Sequence, residues 1–466
     1  MCSGGFHTAA AAGGEVGGME TAATANFVNR GPEKWKQTMH DERATSIEVD
    51  ERALEGDNRL RDLLAQRRRT AVIAGIVGLV LALVGLFFDR QRFFAAYLVA
   101  YLYCLGLTLG SLAWLMIYHL TGGNWGVAIR RLLEASSRLA PFMALLFLPL
   151  LLGLEDLYPW ARPEALATDA LLQHRQPYLN LSFFLVRAVA YFAIWLGIAL
   201  LFSRWSRQQD LGDDPLLEDR LRRFGGLSLA VYGVTMTFAA FDWLMSLDAH
   251  WFSSMFGVLV AASQALAALA FAIVMLSWLA PHQPFAALLT RQHFSDLGNF
   301  LLATVLFWAY ISFMQYLIIW SGNLPEEVLW YLERFHGGWG WLAAALLVLG
   351  FALPFAALLS GRVKAHRRTL TPVALGVLLL QWINLLWLAV PAVQPAGWAI
   401  HWLDLVALVG VGGIWFALYL WQLGSRPLLS SFDLRKVQAQ AHGHGHGTPG
   451  GTFSSAPPMP PPAGGD

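Results

Sequence analysis

Three charged residues lie in the apolar centres of hydrophobic segments, where a charge is costly to bury. They are Arg187, Asp242 and Asp404. Ionisable groups at such positions usually pair with one another or mark a route for protons or ions. At ~1.5 Å per helical residue, Arg187 and Asp242 lie roughly 12 and 9 Å below the same predicted face of the membrane. We therefore expect them to pair, either as a structural ion pair or as the start of a proton path.

Titratable residues near both ends of these segments extend this candidate path. Asp248 and His250 lie in the outer turn that follows the segment containing Asp242. On the inner side His119 ends one segment, and Glu134 and Arg138 stand four positions apart in the next. Glu before Arg at this spacing is the favourable order for an ion pair within one helix. The inner residues are predicted to form a salt bridge at headgroup level or to belong to the path.

Four amide side chains are expected in mid-membrane: Gln264, Gln315, Gln381 and Asn384. Amides at this depth hydrogen-bond one helix to another, and they can also hold water molecules in line. Gln264, Gln381 and Asn384 are therefore added to the proton-path candidates.

The sequence offers little to hold a metal or a redox group. Its two cysteines, Cys2 and Cys104, are too few for an iron–sulfur cluster, and no CxxCH motif is present for covalent haem. His442, His444 and His446 could bind a metal, but a solvated low-complexity tail is the simpler interpretation. We predict no catalytic residue, no metal site and no cofactor site in this chain.

Ten apolar runs must position these side chains. The chain is 56% hydrophobic and only 14% charged, which favours the bilayer as its solvent. A spanning helix needs roughly 20 apolar residues because its backbone must be hydrogen-bonded internally. The predicted fold class is an all-α integral membrane protein with spans at 71–88, 93–120, 127–153, 179–203, 224–248, 252–280, 295–322, 338–360, 370–391 and 402–423.

The distribution of charge predicts the orientation, although the net charge of +1 gives no support for nucleic-acid binding. Arginine and lysine cluster before span one and in every second connection, whereas the alternate connections are acidic or neutral. The exception is the short first turn, which carries Arg90 and Arg92. By the positive-inside rule the basic face is cytoplasmic, and ten spans place both termini there. This face is called the inner face below, and the opposite one the outer face.

Three regions follow from these patterns. Residues 1–69 form a cytoplasmic tail, in which 1–42 are predicted to be disordered and 43–69 to form an amphipathic helix. Residues 70–425 form the membrane domain, and 426–466 form a low-complexity cytoplasmic tail.

Two outer connections, 154–178 and 323–337, are long enough to hold structure. In the second, Pro325 followed by two glutamates predicts the first turn of a helix. Its apolar side chains Leu329, Trp330, Leu332 and Phe335 predict a face that lies on the membrane.

Four stretches resemble one family of respiratory membrane proteins. The most distinctive is AAFDWLMSLDAHWFSSMFGVLV at 239–260, where two aspartates and a His-Trp pair crowd one outer turn. MIYHLTGGNWG at 116–126, LSFFLVRAVAYFAIW at 181–195 and FWAYISFMQYLIIWSGNLPEEVLWYL at 307–332 agree in order. Over about 70–425 the chain resembles the second, smaller NrfD-like membrane component of alternative complex III, a quinol:cytochrome c oxidoreductase.

This resemblance implies two four-helix bundles flanked by one helix at each end, in the bacterial inner membrane. It implies partners: a sister NrfD-like subunit, a pentahaem cytochrome c, an iron–sulfur subunit and a monohaem cytochrome c. Haem c and iron–sulfur clusters would then lie on those partners, with quinol or menaquinol used by the complex. Matched by position, the resemblance supports Asp242, Asp248, His250, Arg187 and His119 as proton-path residues. This chain would be a structural and proton-conducting subunit that carries no electrons itself.

Two other interpretations remain open. Ten spans with sparse buried charges also suit a secondary transporter, which should purify alone or as a homo-oligomer. A passive membrane anchor would need Arg187 and Asp242 for assembly only.

Overall fold

The protein consists of helices throughout the residues that this computed structural model describes, namely 58–211, 215–394 and 401–428. No strand occurs in these ranges. Ten helices are long and apolar enough to span a membrane, which confirms the predicted fold class. Numbered as spans one to ten, they are Arg59–Phe88, Arg90–Thr121, Asn124–Leu157, Leu181–Asp210, Leu216–Leu247, Phe256–Leu279, Arg291–Gly322, Trp339–Leu359, Arg367–Val393 and Trp402–Gly424.

Some predictions fall outside the described residues. These are the disordered segment 1–42, the first part of the segment 43–69 and the tail beyond residue 428, together with Cys2 and the three tail histidines.

The largest difference from the predicted boundaries is at span one. Its helix begins at Asn58 and continues without a break to Phe88, because no glycine, proline or cap stops it at residue 69. Leu60 and Leu64 are buried while Arg67 is exposed. The described end of the predicted amphipathic segment is therefore an extension of span one.

The spans form the two bundles that the resemblance implies. Spans two to five contact one another in a ring, and spans six to nine form a second ring. The bundles meet where span two packs on span six. Span two is the central helix, since 94% of its most apolar 18-residue stretch is buried, compared with 28% of the corresponding stretch in span one.

Spans one and ten flank the bundles as a tightly packed pair. A Cβ placed on Gly78 would lie 2.5 Å from the backbone nitrogen of Gly410, and one placed on Gly413 would lie 2.7 Å from the Cα atom of Gly75. Such close approach is typical of membrane helices that associate through small residues, because lipid provides no hydrophobic drive for association. The pair packs as one unit against span two.

Two spans depart from regular α-helix next to prolines, which cannot donate a backbone hydrogen bond. Span three becomes a 3-10 helix over Leu148–Gly153, which includes Pro149. Span eight contains a π-helical stretch, Leu346–Ala352, immediately before Pro354.

The outer connections hold the predicted structure. Residues 154–178 include the short helices Pro159–Ala161, Pro163–Thr168 and Ala170–Arg175. The second connection forms the helix Pro325–Phe335, called the outer helix below. Its predicted membrane face is partly wrong: Leu329, Leu332 and Phe335 are exposed, but Trp330 is buried. Trp330 instead stacks on Trp251, with ring centroids 4.5 Å apart.

We expect Gly78→Ala to separate spans one and ten. The added methyl group would overlap backbone atoms, which cannot move aside as a flexible side chain could, so the free energy of unfolding should fall by about 1–3 kcal/mol. The measurement is the thermal unfolding midpoint of the purified chain in mild detergent. Gly197→Ala is the matched control, because a Cβ there meets nothing within 4 Å. An equal loss in both variants would contradict the close helix pair.

Candidate functional site

The predicted meeting of Arg187 and Asp242 is confirmed. Nε and Nη2 of Arg187 donate to the two carboxylate oxygens of Asp242 at 2.8 and 2.9 Å. Its Nη1 donates to the backbone oxygen of Tyr178 at 2.8 Å. Tyr191 donates its hydroxyl to the same carboxylate at 2.8 Å. Both charges are buried, so this two-pronged geometry provides the compensation that burial requires.

Aromatic rings enclose the guanidinium group of this pair. The Cζ atom of Arg187 lies 3.9 Å from the centroid of Tyr178 and 4.4 Å from that of Phe183. Cation–π contacts of this kind stabilise a charge that has lost its water. Burial and the negative charge of Asp242 raise the pKa of Tyr178 to about 12, so its hydroxyl stays protonated at neutral pH.

A cavity of about 300 Å³ opens beside this pair on the outer face. Its lining includes Arg175, Tyr178, Ser246, Asp248 and Trp251. Tyr178 therefore borders both the cavity and the ion pair. Water in a cavity of this size would come within one side chain of the buried carboxylate.

The structure gives Asp248 and His250 different surroundings. Asp248 lines the cavity, as a path residue should. His250 is exposed, and its Nε2 pairs with the carboxylate of Asp169 at 2.7 Å, in the connection before span four. Although partial desolvation opposes it, hydrogen bonds from the backbone N–H groups of Leu172 and Leu171, together with His250, lower the pKa of Asp169. His250 thus joins two outer connections.

Arg334 of the outer helix is a buried charge that was not predicted from the sequence. Its side chain donates to the backbone oxygens of Trp387 at 3.3 Å and Leu388 at 2.9 Å. Pro391 has no N–H, so the oxygen of Trp387 lacks its helical donor and Arg334 replaces it. Burial lowers the pKa of Arg334 to about 9, while the charge of Asp248 opposes this shift. The charge of Asp248 thus favours the charged form of Arg334.

A stripe of polar residues runs down the buried face of span five. Ser228, Tyr232, Thr235 and Asp242 recur at intervals of four, three and seven, which places them on one side of the helix. All four are buried. Trp195 of span four donates its indole N–H to the Thr235 hydroxyl at 3.0 Å. At ~1.5 Å per residue the stripe covers about 21 Å of membrane depth.

The stripe connects to the predicted amides at the junction of the two bundles. Tyr232 donates its hydroxyl to Oε1 of Gln264 at 3.1 Å. Asn384 donates to Oε1 of Gln381 at 3.4 Å and to the hydroxyl of Ser263 at 3.3 Å.

The three amides line a cavity of about 30 Å³, which is enough for one or two water molecules. Spans two, five, six and nine surround it. Gln315 lies elsewhere: its Nε2 is 3.5 Å from the hydroxyl of Tyr331 on the outer helix. The predicted group of three path amides is thus brought together, whereas the fourth amide, on span seven, contacts the outer helix.

The predicted ion pair between Glu134 and Arg138 is wrong. The Glu134 carboxylate instead accepts from Nε of Arg130 at 2.9 Å and from Nη1 of Arg131 at 2.8 Å. Arg138 donates to the backbone oxygens of Glu134 and Gln422 at 3.2 and 2.9 Å. The residues one turn before Glu134 reach its carboxylate because they point into the protein interior. Arg426 also lies 3.7 Å from this carboxylate, and Arg131 pairs with Asp210 at 2.6 Å, so the cluster contains three arginines and two carboxylates.

His119 lies near the inner end of span two, as predicted. Its ring stacks on Phe202 of span four, with centroids 5.2 Å apart. A Cβ on Gly225, one turn below Ser228 on the stripe, would lie 3.6 Å from the Cβ of His119. His119 is therefore the titratable group at the inner end of the span-five stripe.

A second buried ion pair explains the basic first turn. Arg92 donates to the carboxylate of Asp404 at the start of span ten, and both side chains are buried. Arg90 pairs with Asp156 at 2.8 Å across the outer connection. Both arginines of this turn therefore have a carboxylate partner.

No group of three or more potential metal ligands occurs within 58–211, 215–394 and 401–428. No protein-family model matches the chain, and no curated protein matches it either. Its place in alternative complex III therefore remains a prediction that rests on the four sequence stretches.

We expect Arg187→Leu to lower the free energy of unfolding by about 3 kcal/mol or more, because it leaves the Asp242 charge buried and unpaired. Arg187→Leu with Asp242→Leu should cost less than the single change. Thermal unfolding midpoints in mild detergent measure both. The control is Arg90→Leu, whose pair is partly exposed and should be worth less than about 1 kcal/mol. A double variant less stable than the single one would show that the pair matters for more than charge compensation.

Proposed function

We propose that this chain is a structural and proton-conducting membrane subunit of a respiratory quinol:cytochrome c oxidoreductase of the alternative complex III type. The observation that carries the proton-conducting part is the polar stripe of span five. It begins at a buried ion pair beside an outer cavity and continues to mid-membrane amides around space for water. Polar groups are expensive in lipid, so an aligned set of them supports a function beyond packing.

Each part of the proposed path has a chemical role. Asp248 lines the outer cavity, and Asp242 is the buried proton acceptor at the outer end of the stripe. A proton that reaches it neutralises the carboxylate, while Arg187 keeps its hydrogen bond to Tyr178 and its two aromatic neighbours. The hydroxyls of Tyr191, Thr235 and Tyr232 both donate and accept, so they can pass a proton along.

Water must complete the path where side chains are far apart. Asp242 and Thr235 are seven residues apart, about 10 Å along the helix, which is too far for a direct hydrogen bond. The cavity beside Gln264, which neither Asp242 nor Thr235 lines, can hold one or two further water molecules. At the inner end, His119 can exchange a proton near neutral pH by the ordinary chemistry of imidazole.

The proposal assigns electron transfer and quinol oxidation to other subunits. The resemblance implies haem c and iron–sulfur centres on the partners, and we place quinol chemistry in the sister NrfD-like subunit. A passive anchor is the second candidate. It is favoured by one observation: all the polar nitrogens of Arg187 and both carboxylate oxygens of Asp242 already have partners.

Purification in mild detergent through a tag on this chain should yield a coloured complex. We expect haem c absorption bands and, by mass spectrometry, a co-eluting iron–sulfur subunit and a sister membrane subunit. The same preparation after alkaline dissociation serves as the control for a chain without its partners. A colourless particle containing only this chain would overturn the respiratory proposal and favour a transporter.

We expect Tyr232→Phe to slow proton movement several-fold while the complex still assembles, because the change removes one hydroxyl and little volume. The measurement is proton uptake or release during quinol oxidation by the complex in sealed liposomes with a trapped pH indicator. Tyr97→Phe is the matched control, since the Tyr97 hydroxyl donates to the backbone oxygen of Leu146, away from the stripe. Unchanged proton movement with Tyr232→Phe would leave the chain as an anchor.

A further inference from the structure

A cavity of about 260 Å³ lies at the inner ends of spans one and ten, far from the proton-path residues in sequence. Arg61, Leu64, Ala65 and Arg68 line it from span one. Leu420, Trp421 and Gly424 line it from span ten, together with Ser425, which follows that span.

The cavity carries uncompensated positive charge. Arg61 and Arg68 are seven residues apart, which places them on one helix face about 10 Å from each other. Neither forms an ion pair with any carboxylate in the described residues, and Asp62 is not among the lining residues. Arg67 and Arg69 stand beside them on the exposed surface. An anion would therefore be attracted here.

The rest of the lining is suited to a lipid. Leu64 and Leu420 form an apolar floor, and both are buried. Trp421 is 46% exposed at the rim, where indole rings favour the boundary between headgroups and acyl chains. A free inorganic anion would gain nothing from these apolar contacts, whereas a phospholipid places its phosphate and its chains in this order.

The helix end at this cavity does not repel an anion strongly. Span ten ends at Gly424, and the last carbonyls of a helix carry partial negative charge. The backbone oxygen of Gln422, however, accepts hydrogen bonds from Nη2 of Arg138 at 2.9 Å and from the hydroxyl of Ser425 at 2.6 Å. Arg61 and Arg68 are both exposed, so the cavity opens at the protein surface.

We propose that this cavity binds an anionic phospholipid of the cytoplasmic leaflet, with Arg61 and Arg68 on its phosphate groups and Leu64, Leu420 and Trp421 against its glycerol and acyl carbons. Basic pockets between helix ends on this face are a recognised way to hold anionic headgroups. The lipid joins spans one and ten just beyond the glycine contacts of that pair. It therefore stabilises the pair from the inner face.

The test is a titration of the purified full chain in mild detergent with phosphatidylglycerol, followed by native mass spectrometry. Arg61→Gln with Arg68→Gln should weaken phosphatidylglycerol binding about tenfold. Arg67→Gln with Arg69→Gln removes the same charge from the same helix outside the cavity and should change binding less than about twofold. Phosphatidylglycerol should also raise the unfolding temperature of the unaltered chain and of the control, but not of the cavity variant.

Several results would overturn the proposal. Equal weakening by both double variants would show diffuse surface attraction without a site. Equal binding of phosphatidylcholine would remove the role of the anionic headgroup. Competition by millimolar inorganic phosphate with no effect of acyl-chain length would identify a free-anion site. Phosphatidylglycerol binding that is lost only when partner chains assemble would assign the cavity to an acidic protein segment.

Discussion

Loss of hydration around a charge is the constraint on which this membrane domain depends. In lipid an arginine or aspartate must be surrounded by opposite charge and hydrogen bonds, or its burial is too costly. The pair Arg187–Asp242 joins the consecutive spans four and five, and the pair Arg92–Asp404 joins span two to span ten. The cluster around Glu134 does the same for spans three and four through the Ser206 hydroxyl. Each ion pair therefore determines which helices can be neighbours.

Backbone groups follow the same rule, and the clearest case joins the outer helix to the second bundle. Pro391 frees the oxygen of Trp387 within span nine, and the guanidinium of Arg334 donates to it. The ring of Trp330 then covers that guanidinium, with Cζ 3.5 Å from its centroid. Trp330 was predicted to face the membrane. Its contact with the buried guanidinium of Arg334 instead outweighs any contact that the ring could make with lipid. An amphipathic pattern alone cannot identify such a partner, because the proline and the arginine are more than fifty residues apart.

The sequence was sufficient to predict what depends on one segment at a time. Span number and type follow from apolar length, and the meeting of Arg187 with Asp242 follows from equal depth on consecutive helices. The sequence was not sufficient to predict a contact for which several residues compete. Glu134 has arginines at three helical spacings, and only packing decides that Arg130 and Arg131 reach it. The span-five stripe had a detectable signal, since Ser228, Tyr232 and Thr235 share the helix face of Asp242. A hydroxyl in an apolar segment is, however, a weaker sign of a functional site than a charge.

The Arg187–Asp242 pair taken alone fits an anchor as well as a proton path, because a fully bonded ion pair has no need of further function. Its surroundings separate the two interpretations. An anchor requires only that both charges be satisfied, which three hydrogen bonds from Arg187 already achieve. It does not require Tyr191 on the carboxylate, aligned hydroxyls below it, or three amides around a cavity with room for water. Each of these buried polar groups is costly in lipid and attachment alone gives it no role, so the proposed proton path accounts for side chains that an anchor leaves unexplained.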